Sequence, residues 1–247
     1  MIQGDETILH LSQWFQQKVE EDLHVSLSNQ QITQFAQYLD QLLETNRQIN
    51  LTAITEPFEV YGKHFYDSLT PATIVSIQQI RTVMDIGTGA GFPGIPLKIA
   101  FPHLQVVLLD SLKKRVHFLN QLIRKLGLKG IQCLHGRAEE WGRHKDYREQ
   151  FDLVTARAVA KLNVLAEYCL PFVKVGGTFV AMKGSEVEEE LSQAERAFTL
   201  LGNATYQQKH LLLPNQLGKR VLIRVDKNQS TPKSYPRRAG IPKKQPL

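Results

Sequence analysis

Apolar positions before residue 80 recur at helical spacing. Leu9, Trp14, Phe15, Val19 and Leu23 mark one amphipathic segment, and Ile32, Phe35, Leu39, Leu42 and Leu43 mark a second with a cleaner stripe. Ser28-x-x-Gln31 has the form of a capping box at the start of that second helix. A third helical stretch is expected over residues 58–77. From Thr82 the period changes to short apolar runs, at 83–86, 105–109, 131–134, 151–155 and 178–182, which read as strands. Amphipathic stretches near 93–101, 112–126, 161–170 and 185–201 alternate with them, and strand–helix alternation of this kind predicts a parallel sheet covered on both faces. Two further runs, 210–213 and 220–225, are separated by six residues that include Pro214 and Gly218. So short a gap cannot hold a crossover helix, so the pair is expected as an antiparallel hairpin completing a seven-stranded, mostly parallel sheet. The pattern divides the chain into an N-terminal helical extension (1–80), an α/β domain (81–226) and a basic tail (227–247). With hardly any apolar periodicity, the tail is expected to be extended or disordered. No internal repeat is found.

Composition narrows the class. With 247 residues, 42% apolar and 22% charged, the chain suits one large domain or a core domain with an extension, which excludes a wholly disordered or collagen-like protein. Its longest wholly aliphatic run, 106–109, is far short of the roughly 20 apolar residues of a membrane helix. Acids stand in the first residues where a secretory signal carries positive charge, and a cytoplasmic protein is the default expectation. Cys133 and Cys169 lie 36 residues apart without a Cys-x-x-Cys or Cys/His cluster, so neither a metal site nor a disulfide is indicated. Charge is uneven: residues 1–80 hold three bases against ten acids, 81–226 hold 21 against 14, and 227–247 hold six bases and no acid. A basic core with a basic tail suggests a polyanionic partner.

The chemistry concentrates after the first strand, in Asp85-Ile-Gly87-Thr-Gly89-Ala-Gly91-Phe92. Glycines between a strand and a helix permit tight turns and close approach of the backbone to a ligand. A Walker loop needs Lys after its last glycine, whereas Gly94 is followed by Ile95. A dinucleotide fingerprint would require glycine where Phe92 stands, which leaves NAD binding as the less favoured alternative. Acid-x-Gly-x-Gly-x-Gly is instead the pattern of class I methyltransferases that hold S-adenosylmethionine. Asp110 ends the next strand 19 residues beyond Gly91, where a carboxylate can accept from both hydroxyls of a ribose or simply cap a helix. Ala138 and Glu139 follow the third strand, in position to flank an adenine. Glu139 as an ordinary first-turn helix acid is the alternative.

The runs Asp85-Ile-Gly-Thr-Gly-Ala-Gly-Phe-Pro-Gly, Asp110-Ser-Leu-Lys-Lys-Arg115, Arg137-Ala-Glu139 and Thr155-Ala-Arg-Ala158, with Asn50-Leu-Thr52 and His64-x-x-Asp67-Ser68 upstream, resemble the RsmG (GidB) family. These are bacterial small-subunit rRNA guanine-N7 methyltransferases. The resemblance runs through nearly the whole chain. It implies a class I, Rossmann-like methyltransferase fold; S-adenosylmethionine as cofactor, released as S-adenosylhomocysteine (SAH), with no metal; and 16S rRNA or the small ribosomal subunit as partner. Cofactor contacts are implied at Gly87, Phe92, Ala138, Glu139 and Arg157, with Asp110 at the ribose and Asp85, Gly89 and Gly91 completing the loop.

Absent motifs agree with that chemistry. Methylating a pyrimidine carbon needs a nucleophilic cysteine in a strand-end loop, but Cys133 falls in a predicted strand and Cys169 in a predicted helix. An exocyclic amine commonly takes an Asn/Asp-Pro-Pro-aromatic loop, and Ala156-Arg-Ala-Val159 stands there instead. Guanine N7 already has an exposed lone pair and needs no general base. Arg157 is the candidate for positioning. Lys113, Lys114, Arg115, Lys233, Arg237, Arg238, Lys243 and Lys244 are candidates for RNA phosphates; His64 and Asp67, one helical turn apart, are expected as a satisfied structural pair, with a place facing the catalytic cleft as the alternative, and Lys183 is left undecided. The rival readings are a methyltransferase of the same fold acting on another RNA, a protein or a small molecule, a non-catalytic RNA-binding protein, and an NAD oxidoreductase.

Overall fold

The computed structural model describes the backbone of residues 2–247 and side chains from His10 onward; Leu9, expected on the first helical stripe, has its side chain outside the described residues. The first two stripes form α1 (Ile2–Leu23) and α2 (Asn29–Asn46). The capping box is made in full, with Ser28 N donating to Gln31 Oε1 at 2.7 Å and Gln31 N to Ser28 Oγ. Gln31 also donates to the Ile99 carbonyl at 2.7 Å, tying α2 to the α/β region.

The third helical stretch is not one helix. It runs as α3 (Pro57–Val60), a π-helical turn (Tyr61–Tyr66), α4 (Asp67–Leu69) and a 3-10 turn (Thr70–Thr73). The backbone is widened where it meets its neighbours: a Cβ on Gly62 would lie 2.1 Å from Leu217 Cδ1. Pro71, which cannot donate, accompanies the change to 3-10 at the far end.

Seven strands follow: β1 (Thr82–Ile86), β2 (Gln105–Asp110), β3 (Ile131–His135), β4 (Phe151–Arg157), β5 (Val173–Lys183), β6 (Thr205–Leu212) and β7 (Lys219–Asp226). They are ordered β3-β2-β1-β4-β5-β7-β6, parallel except for the β6–β7 hairpin, whose β7 pairs antiparallel with β5. Between them run α5 (Gly94–Ala100), α6 (Lys113–Lys125), α7 (Ala138–Trp141), α8 (Leu162–Cys169) and α9 (Glu188–Gly202). Successive strand residues serve opposite faces. Val83, Val106, Leu108 and Leu153 join one core with α5 and α6, while Met84, Val107, Leu109 and Val154 join the other with α8 and α9.

The N-terminal helices share the first of those cores. Phe15, Phe35, Tyr61 and Phe65 are fully buried, with Phe15–Phe35 and Phe35–Phe65 centroids 4.8 and 5.2 Å apart. At roughly 1.5–3 kcal/mol for each buried ring, this cluster outweighs the ~1 kcal/mol of a helix cap, so tertiary packing holds these helices in place.

Residues 227–247 are not an extended or disordered tail. Lys227 is fully buried and donates to Glu149 Oε1 (2.6 Å) and to the carbonyls of Leu170 (2.9 Å) and Val173 (2.8 Å). Arg148 holds the carbonyls of Thr231 and Tyr235 at 2.7 and 2.8 Å. The chain ends in a short α10 (Ile241–Lys244) packed against α8. Polar anchors have no periodicity, which is why the pattern of apolar residues misses this order.

Candidate functional site

Strand order reverses at β1, whose neighbours are β2 on one side and β4 on the other. In sheets of this kind the crevice at the carboxyl ends of such strands is where ligands bind. The glycine loop leaves β1 at that point. Asp85 lies wholly buried beneath it, its Oδ2 accepting from Thr88 Oγ1 at 2.6 Å and Gly94 N at 2.9 Å. Burial pushes this carboxyl up to about 6 despite those bonds. Asp85, expected among the cofactor contacts, therefore braces the loop from below.

Two glycines show what the loop requires. Gly89 has φ +63°, and a Cβ there would meet nothing closer than the Gly87 carbonyl at 3.9 Å, so the top of the loop is open. Gly91, at φ +109°, would place a Cβ 2.6 Å from Tyr38 Oη: it is needed for the close approach of α2. Phe92 likewise turns toward the N-terminal helices, its ring stacked near Tyr38 (5.3 Å) and His64 (4.5 Å), with Arg157 Cζ 5.0 Å from its centroid.

Gly87, Asp110, Ala138 and Glu139 come together in the wall of one cavity, joined by Val159 and Tyr168. Asp110 is nearly buried; its Oδ2 accepts from Gly89 N and its Oδ1 from Leu112 N, both at 2.9 Å. It thus links the glycine loop to the turn before α6, but it does not cap that helix, whose N-cap position is Leu112 without a side-chain cap. Glu139 is in the first turn of α7, also nearly buried, and its Oε1 accepts from Gly240 N at 2.9 Å.

A second cavity, about 420 Å³, opens beside the ends of β4 and β5. Arg157, placed by β4, is central to it. Arg157 Nη1 donates to Asp67 Oδ2 at 3.0 Å and to the Lys63 carbonyl at 3.2 Å, and Nη2 lies 3.3 Å from His64 Nδ1. Arg220 Nε donates to the same Asp67 oxygen at 3.1 Å. His64 Nε2 is 2.8 Å from Thr52 Oγ1, so an Nδ1 that accepts from Arg157 assigns the ring proton to Nε2. Burial, reinforced by the Arg157 charge, holds the imidazole down at about 3, neutral at physiological pH. Lys183 pairs with Glu190 at 2.6 Å on the cavity's edge. Ala158, next to Arg157, takes a left-handed φ of +56°, strain of the kind found where a site over-determines its backbone.

Several expected phosphate contacts are otherwise engaged. Arg115 lies beside Asp110, Nη1 to Oδ2 3.4 Å, and Arg237 is held by Glu167, Nη2 to Oε2 2.6 Å and Nε to Oε1 2.9 Å. Lys113 and Lys114 are exposed along a groove between α2 and α6, and Lys233, Arg238, Lys243 and Lys244 are exposed on the last segment. Arg220 and Tyr168 carry no sequence signal; only the fold brings them to these cavities. Burial drives both thiols up, Cys133 to about 12, and neither stands in the two cavity walls. Among the described residues no helix is long and apolar enough to cross a membrane, and no cluster of three His, Cys, Asp or Glu side chains could hold a metal ion.

The fold is that of known methyltransferases: an O-methyltransferase from Bacillus cereus solved in complex with SAH superposes with a TM-score of 0.58 at 17% identity, covering 86% of this chain and 96% of its own. Sequence reaches further. A protein of an Exiguobacterium species named ribosomal RNA small subunit methyltransferase G is 53% identical over 221 residues, 90% of this chain and 93% of its own. One of that name from Halalkalibacterium halodurans is 53% identical over 94% of this chain and 98% of its own. The family model GidB, rRNA small subunit methyltransferase G, matches residues 31–217. That match runs from α2 through the glycine loop and the walls of both cavities, Arg220 excepted, to the turn of the final hairpin, and the chain belongs to the GidB family.

Proposed function

We propose that this protein transfers a methyl group from S-adenosylmethionine to N7 of a guanine in 16S rRNA, acting in the cytoplasm on the rRNA or on the small ribosomal subunit. The observation that carries the reading is family membership over nearly the whole chain. The first cavity suits the cofactor. Gly89 leaves the loop open above, Asp110 Oδ1 has a single partner and so a lone pair for a ribose hydroxyl, and Glu139 and Ala138 line the same wall, in position to flank an adenine. The bound cofactor supplies an electrophilic methyl on a sulfonium sulfur.

What the chain must add is alignment. Holding acceptor and methyl in line is worth roughly 7–11 kcal/mol of barrier, and Arg157 is the residue to do it, because it bridges Phe92 of the glycine loop and the second cavity. Its guanidinium is fixed by Asp67, the Lys63 carbonyl and His64, so it is set before substrate arrives. No residue need remove a proton. His64, held at about 3, is too weak a base to do so near neutrality, which suits an acceptor that already carries a lone pair. A small-subunit particle carrying 7-deazaguanosine at the target position keeps the base's shape and Watson–Crick edge but has C–H in place of N7. It should bind and accept no methyl; methylation of the deaza substrate would move the acceptor to another atom.

A further inference from the structure

Asp67 is 2% exposed, and its two oxygens are treated unequally. Oδ2 accepts from both Arg157 and Arg220, whereas Oδ1 is sealed from water and has no hydrogen-bond partner at all. A buried carboxylate oxygen left unsatisfied is costly, more so than an unsatisfied neutral group. Such an atom calls for a specific explanation, and in the wall of a cavity a donor from a bound molecule supplies one. Asp67 is also part of the wall of the second cavity, at the end of β4 where the acceptor must lie. The two arginines fix the carboxylate in place through Oδ2 and leave Oδ1 as its unpaired oxygen.

We propose that Asp67 reads the acceptor base: Oδ1 accepts from the 2-amino group of the target guanine. This rests on the guanine-N7 reading and adds the selection step to it. A carboxylate accepts only, so it requires a donor, and the 2-amino group is the donor that adenine and hypoxanthine both lack. It lies on the edge of the purine away from N7, so a base held there by Asp67 keeps its nucleophilic nitrogen free. Because Oδ1 is sealed in the free protein, the base must displace part of the wall as it enters. A base without the donor would leave the carboxylate unpaired in a closed site, the arrangement that gives strong rejection.

The methylated guanosine is first located by mass spectrometry of nuclease fragments of 16S rRNA. Small-subunit particles are then rebuilt with guanosine or inosine at that position, inosine keeping N7, O6 and N1–H but lacking the amino group. With the unaltered protein, kcat/KM should fall about 10- to 100-fold for inosine, the loss of one hydrogen bond to a charged group. In Asp67→Asn the guanosine preference should shrink to a few-fold, because the two changes remove the same bond. Equal kcat/KM for guanosine and inosine with the unaltered protein overturns the proposal, and needs no folded variant. A variant that is slower on both bases by the same factor, keeping its preference, also overturns it, leaving Asp67 as a support for Arg157. Failure of the underlying reading looks different: no methyl on any guanine N7 of the first particle.

Discussion

Asp85 is a buried acid whose environment raises its pKa, and the sign of its effect on stability follows. In the unfolded chain it ionises near its ordinary 3.8, in the folded chain only near 6. Between about pH 4 and 6 the unfolded state therefore releases its proton first, so this residue's contribution falls as pH rises and stays lost above 6. Asp85→Asn keeps an acceptor for Thr88 and Gly94 without the charge. The stability of the variant relative to the unaltered protein should rise by on the order of 2–3 kcal/mol between pH 4 and pH 7, measured by urea unfolding. His64 runs the other way, its depressed pKa costing stability as pH falls below 6.5, so the difference between the two proteins at each pH is the informative quantity. A difference that does not change with pH would mean that Asp85 is stabilised as an anion after all.

At the scale of elements, the last segment is the main departure from what its residues suggest. Strands β1 to β5 are legible because buried strands must be apolar and because each is bounded by turn residues. The final segment is held by Lys227 against Glu149 and two carbonyls, and by Arg237 against a Glu167 seventy residues away. Contacts of that separation leave no local trace, and neither does the widening of the helix at Tyr61–Tyr66 that brings His64 and Asp67 under Arg157. Arg237 and Gly240 sit on one short stretch, and the Gly240 amide is bound to Glu139 in the wall of the first cavity. The segment therefore acts on the first cavity. Arg237→Ala strips the partner from a Glu167 that is 1% exposed, a loss of up to about 3–5 kcal/mol for a buried pair and less here because Arg237 keeps a quarter of its surface in water. Calorimetric titration with S-adenosylmethionine should show severalfold weaker binding together with a lower Tm. A lower Tm with unchanged affinity would confine the segment to a structural role.

For the whole molecule, the charge division along the chain is real but its last part works differently from a free basic arm. Of its six bases, Lys227 is buried and Arg237 is paired, which leaves Lys233, Arg238, Lys243 and Lys244 at the surface for an RNA backbone. Deleting residues 227–247 would therefore confuse two effects, since it removes phosphate contacts and also the Gly240 contact to Glu139 and the Lys227 anchor. Changing the four exposed bases to glutamine separates them, because none of the anchoring contacts is touched. Each phosphate contact on single-stranded RNA contributes about 0.7 to the slope of log affinity against log salt, so four together reduce the slope by up to about 3. The fourfold variant should bind 16S rRNA more weakly at low salt, with a flatter salt dependence, and take up S-adenosylmethionine as before. An unchanged slope would leave the exposed bases of the α6 face, Lys113 and Lys114, as the remaining candidates for the backbone, and would make the C-terminal segment a strap against the first cavity with no part in holding RNA.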